Sequence, residues 1–526
     1  MNFKVRSILL IMMVSGTSCK NSRDSYPVPP PNPMAESFIM ETKPFEIGDE
    51  TYKADFGTIT VPENRSKSEP RLISIPFLRI HSRSKNPGVP IFGLAGGPGQ
   101  SNMNWNRSFA GAFLADHDFV LVGYRGADGS TILDCPEVSK ALKTGDDLMG
   151  EESIKAIGRA WVSASERLEA RGIDLDGYTM PECIEDNESV RKALNYNRIN
   201  LISESYGTRI AYLYGLKHPE HIFRSAMISV NPPGRFIWEP QVIDDQLKYY
   251  GNLWLKDTVM VKKSPDLYAT MQKILNDMER KWLFLSIDPG KVKVVTFSLL
   301  FHRSTAAQAF DAYLAAEQGD PAGLALMSLA YDFILPSMMT WGDLASKAVS
   351  ADFDSTRNYF IEMDPSGMPL GSPMSKLLWG PLTYGRWPVN MISEEFRSPQ
   401  PSDVETLLLS GSVDFSTPAV FATNELLPFL KNGKQVILYE YGHVGDVEYV
   451  NMENTRLILK SFYNTGVPDL SLNACIPMDF NVKWGFPKIM KLALGITALV
   501  GIGIIAGLIW LFKRYRRIRA VKKAAE

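Results

Sequence analysis

The pentapeptide Ser203-Glu204-Ser205-Tyr206-Gly207 joins an apolar run, Ile199 to Ile202, to the helical pattern "TRIAYLYGLKHPE". A serine at such a junction is a candidate nucleophile, because a sharp strand-to-helix turn lifts its hydroxyl clear of the sheet. The turn needs small residues two before and two after the serine, where larger side chains would collide. Ser203 and Gly207 meet that need, although glycine is the usual residue at the first position. A hydroxyl also needs a base to take its proton and an acid to orient that base. Of the six histidines, His218 and His221 follow on the serine's own helix and face away from the turn. His81 and His117 flank early strands, and His302 lies in a helical stretch. His443 differs: in "EYGHVGD" it follows the apolar run "QVILY", where a loop hangs over a sheet edge. Asp414, in "LLLSGSVDFSTP", stands just beyond another such run and supplies the acid.

Acyl transfer builds negative charge on a carbonyl oxygen, and one backbone amide aimed at that charge is worth roughly 2.7 to 4 kcal/mol. The segment "LAGGPGQS" ends an apolar run with glycine-rich backbone, so the amides of Gly96, Gly97 and Tyr206 are the candidate oxyanion donors. Neither the G-x-G-x-x-G nor the P-loop spacing of a phosphate-binding turn is present. Glu204, beside the serine, has two readings. It is an acid favoured by the positive end of the following helix, or it is a substrate-binding group.

These residues require a sheet to hold them. Short apolar runs bounded by Gly, Pro or Asp predict strands at Leu72–Ile80, Val89–Leu94, Phe119–Gly123, Ile199–Ser203, Ser225–Val230, Glu405–Leu409 and Gln435–Tyr439. Helical patterns at Glu151–Arg171 and Asn187–Leu194 lie among them, and such alternation argues for a mostly parallel sheet with helices on both faces. Between Pro232 and Pro401 the pattern is mostly helical and rich in Met and aromatic residues. The expected organisation is a core in two parts, 46–235 and 401–480, with a helical cap inserted at 236–400. The Met-rich stretch "YDFILPSMMTW" reads as cap packing rather than a lipid groove. The chain order Ser, Asp, His, each after its own strand, is that of the α/β-hydrolase fold.

The resemblance is more specific than the fold. "GTITVPENR", "LAGGPGQS", "FVLVGYRGADGS", "ESVRKALNYNRINLISESYGTRIAYLYGLKHPE" and "LLLSGSVDFSTP" resemble the prolyl and tripeptidyl aminopeptidase group of α/β hydrolases, with "GRWP" at 385–388 similar to the return from the cap. The likeness covers roughly residues 50–235 and 380–470. It implies a serine peptidase acting on peptide amino termini, with Ser205 as nucleophile, Asp414 as acid, His443 as base and Gly96, Gly97 and Tyr206 as the oxyanion site. The "ESYG" and "GGPG" segments are also similar to serine carboxypeptidases, in which a glutamate beside the nucleophile helps hold a terminal carboxylate. Recognition of an amine or a carboxylate therefore stays open, as do an esterase or other acyl hydrolase with the same triad and a non-catalytic binding ectodomain.

The flanking sequence bears on location. A stretch at 492–512, "LALGITALVGIGIIAGLIWLF", carries no charge and is long enough for one transmembrane helix, and the tail 513–526 has seven basic residues against one acid. The positive-inside rule sets that tail in the cytoplasm and the preceding chain outside. Gly503 and Gly507 form one GxxxG. Residues 1–19 have the layout of a signal segment, with Cys19 open to lipidation as in a lipoprotein or to simple cleavage nearby, and the Pro-rich 20–45 reads as a stiff spacer. Of the other cysteines, Cys135 and Cys183 lie between the same two predicted strands and are expected to pair, leaving Cys475. A net charge of -2 argues against nucleic acid as a partner. No cofactor motif is present, and "HPEH" lacks the spacing of a zinc helix, so no metal is expected. Oligomeric state is left open.

Overall fold

A computed structural model describes residues 25–143, 145 and 147–525. The signal and lipoprotein-like segment 1–19, with Cys19, lies outside the described residues. The central sheet has nine strands: β1 (Phe38–Ile47), β2 (Glu50–Pro62), β3 (Leu72–Ile80), β4 (Ile91–Leu94), β5 (Phe119–Val122), β6 (Ile199–Glu204), β7 (Ile222–Ile228), β8 (Glu405–Gly411) and β9 (Gly433–Leu438). Their order across the sheet is β1-β2-β3-β5-β4-β6-β7-β8-β9. The first three strands and β5 pair antiparallel, and every pairing from β5 to β9 is parallel. This is the sheet of the α/β-hydrolase fold, extended by one strand at its amino-terminal edge.

The predicted strands match those observed to within a few residues, and Leu72–Ile80 coincides with β3. Helices α1 (Glu151–Ala170) and α2 (Met180–Ala193) lie where helical periodicity put them, although α2 begins earlier than expected. The hairpin β1-β2 was not foreseen. It closes through Gly48, whose φ of +60° suits glycine, and pairs Ile47 with Glu50. The Pro-rich stretch is also not a free spacer. Pro27 O accepts a hydrogen bond from Thr58 Oγ1 at 2.7 Å, and Tyr26 packs its ring 5.7 Å from that of Phe56, so Tyr26 and Pro27 lie against β2.

The parallel strands end in register, because Leu94 pairs with Ser203, Glu204 with Ile228, Ile228 with Leu409 and Gly411 with Leu438. The loops that follow β4, β6, β8 and β9 therefore emerge along one edge, where ligands of open α/β sheets bind. Over that edge lies the chain between β7 and β8, which is mostly helical with one short strand pairing at 281–286. One of its helices is α4 (Trp341–Asp352), whereas α3 (Tyr206–Lys217) directly follows β6 in the core. At the carboxyl end, α5 (Phe486–Ala525) is long and apolar enough over Phe486–Ile518 to cross a membrane. Its first turns pack on the insertion, with Phe486 and Met490 buried and Lys491 paired to Asp320 at 2.6 Å.

Cys135 and Cys183 do not pair. Both are free and buried, Cys135 bonding weakly to Leu133 O and Cys183 lying on α2. Burial pushes their thiols up to about 12 and about 11, so neither is a thiolate at neutral pH.

One buried arginine ties several of these parts together. Arg125, in "YRGADGS", is fully enclosed; its Nε and one terminal nitrogen reach both oxygens of Asp186 at 2.7 and 2.6 Å, and its other nitrogen donates to Glu63 O and Gly177 O at 2.6 Å each. Removing one partner of such a pair strands the other charge in dry surroundings, which costs roughly 3 to 5 kcal/mol. Arg125→Met is expected to lower the thermal unfolding midpoint accordingly, with Arg65, 3.0 Å from Asp186, limiting the loss. An unchanged midpoint would remove this network from the stability of the core.

Candidate active site

Strand β6 ends at Glu204 and α3 begins at Tyr206, so Ser205 alone makes the turn. Its backbone has φ +50° and ψ -120°, a sparsely populated conformation for a residue with a side chain, and one that costs of order 1–3 kcal/mol. Two neighbours explain how the turn closes. A Cβ at Gly207 would lie 2.0 Å from Leu94 O, so the helix packs backbone against strand β4 and only glycine fits. Ser203 is fully buried, and its hydroxyl donates to Ala226 O at 3.2 Å, so the departure from glycine there is absorbed by one hydrogen bond to β7.

The glycine loop lies against this turn. A Cβ built on Gly96 would sit 3.2 Å from Ser205 Cβ, a tight contact that a larger residue makes only if the turn gives by a few tenths of an ångström. Gly97 has φ +134°, which suits glycine alone. Among the described residues, none accepts a hydrogen bond from the amides of Gly96, Gly97 or Tyr206, so three donors beside Ser205 are unspent. The loop is held at both ends. Asn102, fully buried, accepts from Ala95 N at 2.7 Å and donates to Gly93 O and Val122 O at 2.9 and 2.8 Å. Asp128 accepts from Asn102 N at 3.0 Å and Tyr124 N at 2.8 Å, while burial pushes its carboxyl up to about 6 against those bonds. From above, Asp343 on α4 accepts from Gly99 N at 3.0 Å and pairs with Lys347, both residues fully enclosed.

Asp414 and His443 meet as expected. His443 Nδ1 lies 2.9 and 3.0 Å from the two Asp414 oxygens. Asp414 is completely buried; burial alone would raise its carboxyl, but the His443 ring and the Thr417 amide hold it below the usual range, and the Thr417 hydroxyl also donates to it at 2.9 Å. It is therefore an ionised acceptor that fixes the imidazole with Nδ1 protonated. The loop carrying His443 is pinned by the insertion, since His443 N donates to Phe301 O at 2.7 Å. Ser205 and His443 are not hydrogen-bonded to each other in this structure, and such contacts commonly tighten only on substrate binding.

The remaining histidines take other partners. His81 contacts Asp55 at 2.6 Å, His117 bonds Val89 O at 2.8 Å and His218 contacts Glu185 at 2.8 Å. His302 approaches Asp446 at 3.7 Å beside the His443 loop. Donor atoms of Glu188, His218 and His221 lie within 4.8 Å of one another, but Arg191 already holds both Glu188 oxygens, at 2.6 and 2.8 Å, and a guanidinium there opposes a cation. The Met-rich stretch is not plain packing: Met338, Met339 and Trp341 line a cavity whose wall includes Ser205, Tyr206 and Gly97.

Sequence reading missed Asn102, Asp128, Asp343 and Lys347, which position the loop rather than face the cavity. Asp343 and Lys347 are four apart on a helix, a spacing common on solvated faces, so nothing in their types marks them as buried.

Glu204 neighbours Glu448 and lies on the side of Asn106, whose Nδ2 donates to Glu448 at 3.0 Å. Burial, and then the adjacent Glu448 carboxylate, raise the Glu204 carboxyl well above its ordinary 4.5. The folded state therefore holds a proton that the unfolded chain releases above about pH 4.5, so stability falls as pH rises from there toward the folded value. Glu204→Gln, which keeps the shape and has no proton to lose, is expected to flatten that fall: equal unfolding midpoints near pH 4.5 and a higher midpoint than wild type at pH 8. A Glu204→Gln midpoint that falls as steeply as wild type over this range would contradict the buried pair.

Comparison with known proteins agrees with this fold. A family model of the α/β hydrolase fold matches residues 89–287. The chain is 30% identical over 209 residues to a tripeptidyl aminopeptidase of Streptomyces lividans, covering 37% of this chain and 39% of that protein. It is equally identical over 209 residues to the tripeptidyl aminopeptidase of Streptomyces coelicolor, covering 37% and 38%. The aligned region thus spans less than half the length of either relative. Among solved structures, the α/β hydrolase MGS-M2 from a Medee basin deep-sea metagenome library aligns over 76% of this chain and 97% of its own at 13% identity and a TM-score of 0.36; the fold is read from the strand order, not from that superposition. Strand order, turn and matched residues together give this chain the α/β-hydrolase fold, and over 209 residues it is similar to tripeptidyl aminopeptidases.

Proposed function

We propose that the protein is a serine peptidase that releases short peptides from amino termini through an acyl-enzyme on Ser205. The observation that carries this reading is the Asp414–His443 contact at 2.9 Å on the same sheet edge as the strained Ser205 turn and its three unspent amides. In the proposed cycle, the unprotonated Nε2 of His443 takes the Ser205 proton as Oγ attacks the scissile carbonyl. Asp414, kept ionised, stabilises the imidazolium, and the amides of Gly96, Gly97 and Tyr206 receive the oxyanion. His443 then protonates the leaving amine, and a water activated by the same ring hydrolyses the ester. No metal or cofactor takes part in this scheme. The similarity to tripeptidyl aminopeptidases supports the amino-terminal end as the point of attack. We further read α5 as a membrane anchor that leaves the catalytic domain outside and the basic tail in the cytoplasm.

A second reading, an acyl-ester hydrolase with the same triad, is favoured by one observation, the apolar lining of the cavity beside Ser205.

Hydrolysis of a free-amine tripeptide anilide is expected to fall by at least about a thousandfold in Ser205→Ala and His443→Ala, and by about ten-thousandfold in Asp414→Asn. Acetylating the amine of the same tripeptide is expected to slow wild type at least tenfold. Equal rates on free and acetylated tripeptides would overturn the aminopeptidase reading and leave the ester hydrolase, and unimpaired turnover by Ser205→Ala would overturn both.

A further inference from the structure

The cavity beside Ser205 is lined mainly by apolar and aromatic side chains. It runs from the glycine loop and the α3 turn upward into the insertion, and its walls include Trp238, Met339, Trp341, Leu344, Met374 and Trp379. Among the described residues, no Asp or Glu lines it. Its one charged lining residue, Arg235, is already spent: the guanidinium makes a two-pronged pair with Glu425 at 2.7 and 2.5 Å and stacks 4.4 Å from the Phe421 ring. What polarity remains is neutral. The indole nitrogens of Trp161 and Trp379 and the amide oxygen of Asn231 belong to lining residues and are buried without partners. The acidic pair Glu204 and Glu448 does not line the cavity; Glu448 turns to Asn106 instead.

An ammonium brought into such walls would lose its hydration and meet no carboxylate, whereas each methylene buried there gains about fourfold in binding. We infer that this cavity is the acyl-side specificity chamber: it takes a large, uncharged, apolar group next to the scissile carbonyl and excludes a free α-ammonium at that position. A peptide substrate then carries a large apolar residue before the cleaved bond, with its amino terminus further out, beyond the cavity mouth. The same chemistry is offered by an aromatic or branched side chain or by a hydrocarbon acyl chain. This inference rests on Ser205 as the nucleophile, since the chamber matters only for groups attached to the carbonyl that Ser205 attacks.

The test uses the full chain in phosphatidylcholine vesicles. Two pairs of probes separate the sources: p-nitrophenyl acetate against octanoate, and N-acetyl-glycine against N-acetyl-phenylalanine p-nitroanilide. The expected result is a kcat/KM at least tenfold higher for the larger member of at least one pair, with N-acetyl-aspartate p-nitroanilide and free-amine phenylalanine p-nitroanilide both at least tenfold below N-acetyl-phenylalanine. Ala348 lines the chamber from α4. Ala348→Trp is expected to abolish the size preference while acetate hydrolysis persists, which also excludes partition of octanoate into lipid as its cause. The milder Ala348→Leu, with its unfolding midpoint measured, stands in should the tryptophan variant not fold. Turnover of the small probes with no gain from size, or equal rates for the aspartate probe, would overturn the chamber while leaving Ser205 in place. Failure of every probe together with failure of Ser205 to react with a fluorophosphonate would instead overturn the nucleophile on which the inference rests.

Discussion

Helix α3 begins where it does because Gly207 has no side chain. A Cβ there would stand 2.0 Å from the Leu94 carbonyl, so any other residue pushes the helix off strand β4. With the helix seated, the chain has a single residue in which to reverse, and Ser205 takes the strained backbone that this demands. The strain is over-determined by its surroundings: β6 is paired on both sides, Ser205 N donates to Ile228 O at 2.9 Å, and Thr208 Oγ1 donates to Ser205 O at 2.6 Å. A serine hydroxyl raised above the edge, next to unspent amides, is a consequence of one glycine's close approach.

The insertion does more than cover the edge. Asp343 holds the glycine loop by Gly99, and its partner Lys347 reaches Arg125 O at 3.3 Å, so the loop, the "YRGADGS" turn and α4 share one buried ion pair. Asp352, at the end of the same helix, receives Arg209 of α3 with two contacts of 2.9 Å, and the Arg209 guanidinium lies 3.9 Å from the Phe236 ring. Phe301 O anchors His443. Buried pairs of this kind add little net stability, yet breaking one partner is costly. They fix registration between insertion and core, which is what a preorganised oxyanion site and base require.

Much of this was legible beforehand because the parallel strands are buried on both faces and read as short apolar runs between breakers. The turn at Ser205 and the loops of Asp414 and His443 were legible from their place after such runs, and the contact between Asp414 and His443 follows from the register of β8 and β9. The edge hairpin was not legible by the same signal. Pro44 and alternating charges in β1 mask its period, although Gly48-Asp49 before Glu50 was a turn cue. The cysteine pairing failed because shared position between two strands says nothing of distance. Asp343 and Lys347 were hidden for a different reason: an ion pair buried under another segment looks, in one dimension, like an ion pair in water.

The direct test of the account is mass mapping after reaction with a fluorophosphonate. Digestion with trypsin isolates residues 199–209, which carry the turn. The account predicts one adduct on that peptide, fragmenting to Ser205 rather than Ser203, and lost on prior denaturation of the chain. An adduct elsewhere, or an unmodified peptide from folded protein, would contradict it.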